Sequence, residues 1–269
     1  MTQPFTIATW NINSVRLRRG LVERFLADHA PDILCLQEIK CQDDQFPAKA
    51  FAKAGYEHVA LHGQKAYHGV ATLSRIPFAS VEKRDFCGMG DARHVECTVD
   101  VNGSRVRVHN FYVPAGGDEP DPAVNPKFAH KLKFLDEMRE ITTRTGDHDA
   151  ALLVGDLNIA PLENDVWSHR QLLKVVSHTP VETETLEALR REAGWADLMR
   201  DHIPADEKLF TWWSYRAKDW AASNRGRRLD HIWGSSALRA GLNSMTVLTE
   251  ARGWDKPSDH VPVTARFAI

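Results

Sequence analysis

Five short polar clusters in this chain each abut an apolar run: Trp10-Asn11-Ile12-Asn13, Leu36-Gln37-Glu38, Asn110-Phe111-Tyr112, Gly155-Asp156-Leu157-Asn158 and Ser258-Asp259-His260. Together they hold carboxylates, amides, a phenol and a histidine. A phosphodiester carries negative charge that repels hydroxide. Its hydrolysis therefore needs a divalent cation on the phosphoryl oxygens, a base for the attacking water and a group that stabilises the transition state. The clusters contain residues of the right type for each task. Glu38 suits a hard cation such as Mg2+, which takes one or two carboxylates and keeps several waters. Asp156 and Asn158 stand two apart, which in extended backbone points both to one face and turns Leu157 into the core. Asp156 can then accept a proton from water while Asn158 orients the water or the phosphate. Asp230, in Arg228-Leu229-Asp230-His231-Ile232, is expected to pair with His260, fixing one tautomer and favouring the imidazolium. Asp259 is a second candidate for the metal. Each residue also has an ordinary structural reading: Glu38 as a surface glutamate, Asp156 and Asn158 as a turn cap, and any of the thirteen histidines as a core residue.

The elements that must bring these residues together are visible as periodicity. The runs 5–9, 33–36 and 151–154 read as buried strands, so that the clusters following them meet at one sheet edge. Strands are expected over 5–10, 33–37, 56–60, 70–74, 94–101, 104–112, 150–155, 229–234, 242–248 and 261–267. Apolar residues at helical spacing predict helices over 17–29, 128–143 and 181–193, the last closed by Gly194. The Asn102-Gly103 pair between alternating runs predicts a tight hairpin, so part of the sheet is antiparallel. Helices alternating with strands in both halves suggest two sheets packed face to face with helices outside.

Composition sets the bounds. A chain of 269 residues, 43% hydrophobic and 26% charged, reads as a globular protein, and without a linker-like stretch it is expected to form one domain over 1–269. The start Met1-Thr2-Gln3-Pro4 lacks a basic, apolar leader and no run nears membrane length, which predicts a cytoplasmic protein with no membrane partner. Cysteines at 35, 41, 87 and 97 form no Cys-x-x-Cys pair, which argues against structural zinc. A formal charge of -2 argues against binding nucleic acid by overall basicity, but Lys208 to Arg239 holds seven basic residues against Asp219 and Asp230.

On these residues the chain resembles the exodeoxyribonuclease III branch of the exonuclease/endonuclease/phosphatase superfamily, which includes class II abasic-site endonucleases. The motifs are Trp10-Asn11-Ile12-Asn13-Ser14-Val15-Arg16, Leu36-Gln37-Glu38-Ile39-Lys40, Tyr67-His68-Gly69-Val70-Ala71, Asn110-Phe111-Tyr112-Val113-Pro114, Gly155-Asp156-Leu157-Asn158, Asn224-Arg225-Gly226, Arg228-Leu229-Asp230 and Ser258-Asp259-His260, which span nearly the whole chain. The resemblance implies a four-layered α/β sandwich of DNase I-like type. It also implies attack on phosphodiesters of duplex DNA at abasic sites or 3' ends, using Mg2+ with Mn2+ as a possible substitute. Exonuclease action from 3' to 5', abasic-site incision and 3'-end trimming would come from one site in a monomer. Carried over by residue, Glu38 binds the metal, with Asn11, Asp156 and Asp259 beside it; Asp156 activates water; and Asn158, Asn11 and Tyr112 hold the phosphate. His260, supported by Asp230, stabilises the transition state. Trp212 and Leu229 wall a pocket for the base-free sugar, and Arg216, Arg225 and Arg227 meet the DNA. The chain departs from the family pattern at Tyr112-Val113-Pro114-Ala115-Gly116-Gly117 and between Val166 and His178, in loops of the kind that touch DNA. Two alternatives are a phosphatase or phosphodiesterase of the same superfamily acting on a small substrate, and a non-catalytic RNA-associated regulator resembling the catabolite repression control protein. The aromatic and basic stretch Phe210-Thr211-Trp212-Trp213-Ser214-Tyr215-Arg216 favours nucleic acid over the first. The second predicts losses among the site residues, and the sequence has none.

Overall fold

Alternating side chains along each strand divide this molecule into layers. The computed structural model describes residues 4–142 and 150–269. Most of the Met1-to-Pro4 start and Thr143, the expected end of one helix, lie outside the described residues. The strands are β1 (Phe5–Asn11), β2 (Ile33–Gln37), β3 (His58–His62), β4 (Val70–Ser74), β5 (Phe78–Lys83), β6 (His94–Val101), β7 (Ser104–Tyr112), β8 (Ala150–Asp156), β9 (Ala196–Asp197), β10 (Trp212–Trp213), β11 (Gly226–Arg227), β12 (Asp230–Gly234), β13 (Leu242–Val247) and β14 (Val263–Phe267). They form two mixed six-stranded sheets, ordered β13-β14-β1-β2-β4-β3 and β5-β6-β7-β8-β12-β9, and a small β10-β11 ribbon.

Odd-numbered positions of β1 and β2, such as Ile7, Ile33 and Cys35, meet even-numbered positions of β7, β8 and β12, such as Val106, Val108, Leu152, Val154 and Ile232, in the core between the sheets. The opposite parity faces outward. Ala8, Trp10, Leu34 and Leu36 pack under Val22, Phe25 and Leu26 of the helix Arg19–His29. Ala151, Leu153 and Trp233 pack under Phe134, Leu135 and Met138 of the helix Pro126–Thr142 and Leu186 and Leu189 of Pro180–Glu192. The result is helix, sheet, sheet, helix, as the alternation of elements leads one to expect.

All ten expected strands and three expected helices are present, shifted at their ends by up to a few residues. The turn of the β6-β7 hairpin has Asn102 at φ 51° and Gly103 at φ 84°, the mirror-image turn that this pair favours. Among the described residues no helix is long and apolar enough to cross a membrane. All four cysteines are free, and Cys35 is fully buried.

Candidate active site

The same parity that builds the inter-sheet core carries the reactive residues to its end. Asn11 and Gln37 terminate β1 and β2 as Cα partners, while Tyr112, Asp156 and Asp230 lie side by side at the ends of β7, β8 and β12. Each continues an inward-facing row, so five polar side chains emerge where the two sheets stop. Gly155 makes this possible: at φ 138° a Cβ would fall 1.9 Å from the Phe111 carbonyl oxygen, so no other residue fits between β7 and β8.

The floor is polar and buried. Gln37 donates through Nε2 to Thr9 Oγ1 at 3.0 Å and Asn110 Oδ1 at 2.7 Å, and Asn110 Nδ2 donates to the Ala71 carbonyl at 3.0 Å. Gln37 and Asn110 are fully buried and so hold the sheets together beneath the site. Above them Asn11 Nδ2 donates to both Glu38 Oε1 and Asp156 Oδ2 at 2.8 Å, joining a carboxylate of one sheet to a carboxylate of the other. Its own Oδ1 accepts the Asn13 N–H at 3.0 Å.

Glu38 adopts φ 50°, a left-handed conformation in which its side chain turns back toward Asn11. Burial alone would push its carboxyl up, but Lys40, 2.8 Å from Oε2, and the Asn11 amide outweigh that and hold it below the ordinary value. Lys40 also donates to Asn13 Oδ1, and Asn13 Nδ2 donates to Asp259 Oδ1 at 3.1 Å. Asp259 Oδ2 accepts from Trp212 Nε1 at 3.0 Å. Glu38 and Asp259 therefore border one cleft at the two ends of a Lys40-Asn13 bridge.

Asp156 and Asn158 do end on one side, though not by the extended geometry that their spacing suggested. The strand stops at Asp156, and Asn158 turns to φ 55°. The Asp156 carboxylate accepts from the Asn158 backbone at 2.9 Å and from its Nδ2 at 3.2 Å, so the turn-cap and site geometries coincide. Leu157 points into the core as expected.

His260 Nδ1 lies 2.8 Å from Asp230 Oδ2, and Nε2 lies 3.7 Å from Asp156 Oδ2. Thr211 Oγ1 donates to the same Asp230 oxygen at 2.6 Å. Burial disfavours the imidazolium, but Asp230 and Asp156 more than offset it and raise His260 to about 10. Burial, with Asp230 and Glu38 adding to it, pushes Asp156 up to about 7 against the pull of His260 and Asn11. His260 thus lies between two carboxyl groups and is favoured as the imidazolium. Burial and the neighbouring Glu38 and Asp156 carboxylates push the Tyr112 phenol well above its ordinary value, so it remains a hydrogen-bond donor. Arg93 lies over its ring at 4.9 Å.

Among the described residues Asp156, Asp230 and His260 offer possible metal-ligand atoms within 4.8 Å of one another. Within that trio His260 and Asp230 already hydrogen-bond to each other. Glu38, held below its ordinary value and bordering the cleft with Asp259, is a better match to a hard divalent cation, which prefers oxygen, and Asp156 is joined to it through Asn11. The carboxylate donors fit a hard divalent cation.

The cleft has a volume of about 640 Å³ and runs from Glu38, Tyr112 and His260 to Trp212, Leu229 and Leu172. Trp212 and Leu229 share an apolar cluster with Trp167, Leu172 and Val175, so the 166–178 segment supplies part of the wall. Arg216, Arg225 and Arg227, expected to meet DNA, line the cleft. Arg227 is partly committed, donating to Ser177 Oγ at 2.7 Å and lying 5.3 Å over Trp212, and Arg225 lies 4.6 Å over Trp167. The rest of the basic stretch resolves differently. Arg228 is fully buried between Asp165 and Asp197, at 2.8 and 2.7 Å. Lys208 donates to the Val166 carbonyl at 2.8 Å, and Arg239 pairs with Asp201 at 2.7 Å. Lys40, Asn13 and Thr211 are the site residues that sequence reasoning passed over. Lys40 and Asn13 stand two places beyond Glu38 and Asn11, the spacing that flagged Asn158 after Asp156.

Known proteins are similar to this chain over nearly its whole length. Exodeoxyribonuclease III of Haemophilus influenzae is 31% identical over 268 residues, covering 96% of this chain and 98% of its own. The 3' phosphatase NExo from Neisseria, solved bound to product DNA hairpin, superposes with a TM-score of 0.89 at 33% identity, covering 98% of this chain and all of that one. An AP endonuclease from Archaeoglobus fulgidus gives 0.90 at 30% identity over the same shares. The sequence model of the endonuclease/exonuclease/phosphatase family matches residues 8–260, from within β1 to His260, and this protein belongs to that family.

Proposed function

We infer that this DNA-repair nuclease hydrolyses phosphodiesters of duplex DNA at abasic sites and 3' ends, with Mg2+ as its metal and Mn2+ as a substitute. One observation carries the reading: Asn11 joins Glu38 and Asp156 across the two sheets while His260, anchored on Asp230, faces the same Asp156. That is the constellation a phosphodiester hydrolase requires, with no member lost, which disfavours the non-catalytic RNA-associated regulator. A cleft walled by Trp212 and Leu229 and edged by arginines suits a base-free sugar in a phosphate backbone better than a small polyol phosphate.

The metal, held by Glu38 with Asp156 and Asp259 beside it, would neutralise phosphoryl oxygens and the departing alkoxide. Asp156, raised by burial, takes the proton from water, and Asn158 orients that water against the phosphate. Asn11 keeps the two carboxylates in register. Tyr112 and the His260 imidazolium donate to phosphoryl oxygens as charge develops there. One chain supplies every group, consistent with action as a monomer. The test is incubation with duplex DNA carrying one abasic site, an intact blunt duplex and a duplex ending in 3'-phosphate, each with Mg2+ or EDTA. Magnesium-dependent cleavage of the first two is expected. No cleavage of any substrate in Mg2+ or Mn2+ would refute the reading, and release of phosphate alone would restrict it to 3'-end trimming.

A further inference from the structure

Lys131 and Glu182 sit on two neighbouring helices, and both are fully buried. A buried ammonium is costly unless its hydrogens find acceptors. Lys131 Nζ donates to the Glu182 carboxylate, to the Asn158 carbonyl at 2.9 Å and to the Ala115 carbonyl at 3.3 Å. The carboxylate is equally committed: it accepts the Ser177 N–H at 3.0 Å on each oxygen, the Thr179 N–H at 3.2 Å and the Thr179 hydroxyl at 2.6 Å.

Three separate segments of cleft lining thus converge on one ion pair, since Ala115, Asn158 and Ser177 all border the cleft. Joining two helices does not require this, because a well-packed apolar pair is often as stable as a buried ion pair. The arrangement bears on Asn158. Its backbone is held at φ 55° with its carbonyl on Lys131, and this aims Nδ2 at Asp156 Oδ2 and the Val113 carbonyl, at 3.2 and 2.9 Å. A released carbonyl lets the peptide rotate and carries the amide away from Asp156. On the other side Ser177 accepts from Arg227, which lies over Trp212, so the same pair reaches the apolar wall.

We propose that Lys131 and Glu182 are positioning residues, which lock the 113–117, 156–160 and 175–179 segments so that Asn158 presents its amide beside Asp156. The proposal rests on the roles given above to Asp156 and Asn158, and wild-type cleavage of the abasic duplex in Mg2+ is measured first because its absence refutes that reading alone. The probe is the neutral double variant Lys131→Met with Glu182→Gln, compared with wild type, Asn158→Ala, the triple combination and Lys131→Arg. The double variant should melt within a few degrees of wild type and lose about 10- to 100-fold in kcat with KM changed by less than about threefold. Adding it to Asn158→Ala should cost little more than Asn158→Ala alone, as for residues acting through one another. Lys131→Arg, which keeps a buried donor and charge, should recover most of the loss. A folded double variant with wild-type kcat, or losses that multiply with Asn158→Ala, would overturn the proposal. If the double variant does not fold, Glu182→Gln alone serves: it keeps an acceptor oxygen, is expected to lower kcat at least threefold, and wild-type kcat in it also overturns the proposal.

Discussion

Asp230 opens a strand of one sheet and His260, thirty residues on, lies just before the last strand of the other, yet their side chains meet at 2.8 Å, with Thr211 closing the same carboxylate oxygen. Arg228, two residues before Asp230, is drawn off to Asp165 and Asp197. If the pair works as a unit, turnover in His260→Ala with Asp230→Ala should fall little below that of His260→Ala alone, because members of a unit are non-additive. Multiplying deficits would separate them. The pH profile gives an independent check. Activity that needs the imidazolium persists below the His260 value of about 10 and is lost as pH rises through it. Asp230→Asn removes a carboxylate that raises that value, so the alkaline loss should move to lower pH.

Asp156→Asn should leave folding and DNA binding largely intact and lower turnover by roughly 10² to 10⁴, the usual contribution of a positioned proton acceptor. Turnover within threefold of wild type would remove Asp156 from that role. Glu38→Ala should instead show a deficit that shrinks as Mg2+ is raised, and an identical deficit at every concentration would count against ligation.

Salt dependence should separate the exposed arginines from the buried one. Arg216→Ala and Arg225→Ala are each expected to reduce the slope of log affinity against log salt by about 0.9 on duplex DNA. Arg228→Ala should instead act on stability, lowering the melting temperature sharply, because buried Asp197 loses its cation and Asp165 keeps only Arg200. An unchanged slope in both exposed variants would place them on a solvated face.

Trp212→Ala should reduce abasic-site incision more than about tenfold while the melting temperature falls only a few degrees, since the indole is half-buried and part of a cleft wall rather than the core. Because Trp212 Nε1 also holds Asp259, Trp212→Phe should recover the wall without the hydrogen bond. A collapse in melting temperature with normal incision by the folded fraction would assign Trp212 to the core.

Acid should unfold the protein from above its carboxylate range. Burial lowers His109 to about 3 and His231 to about 4, so both are neutral in the folded state. The unfolded chain binds their protons from about 6.5 downward, so stability falls as pH drops below that value, by up to about 1.4 kcal/mol per pH unit for each. Melting temperature measured from pH 7 to 4.5 checks this, and His231→Gln should flatten the decline.

Much of the site was legible because strand parity does the positioning: once the runs before Asn11, Tyr112 and Asp156 are strands, their last inward-facing residues must converge. The Asn158 turn was not legible, since spacing alone does not separate an extended residue from a left-handed one. Nor was the division of the basic stretch. Arg227 and Arg228 are sequence neighbours, yet one faces the cleft and the other lies buried between two aspartates. The edge strand Phe78–Lys83 escaped because its exposed Ser80 to Lys83 carries no apolar alternation, and helices such as Leu198–His202 are too short to show a period.

The amide of Asn11 gives the last consequence. Glu38 follows a strand of one sheet, Asp156 ends a strand of the other, and a single side chain spans them. The distance between the two carboxylates is therefore a gauge of how closely the sheets approach. Heat or a core substitution that loosens the sandwich by a fraction of an ångström, too little to register as lost secondary structure, is read out there first, so cleavage should fail at temperatures where the strands are still intact.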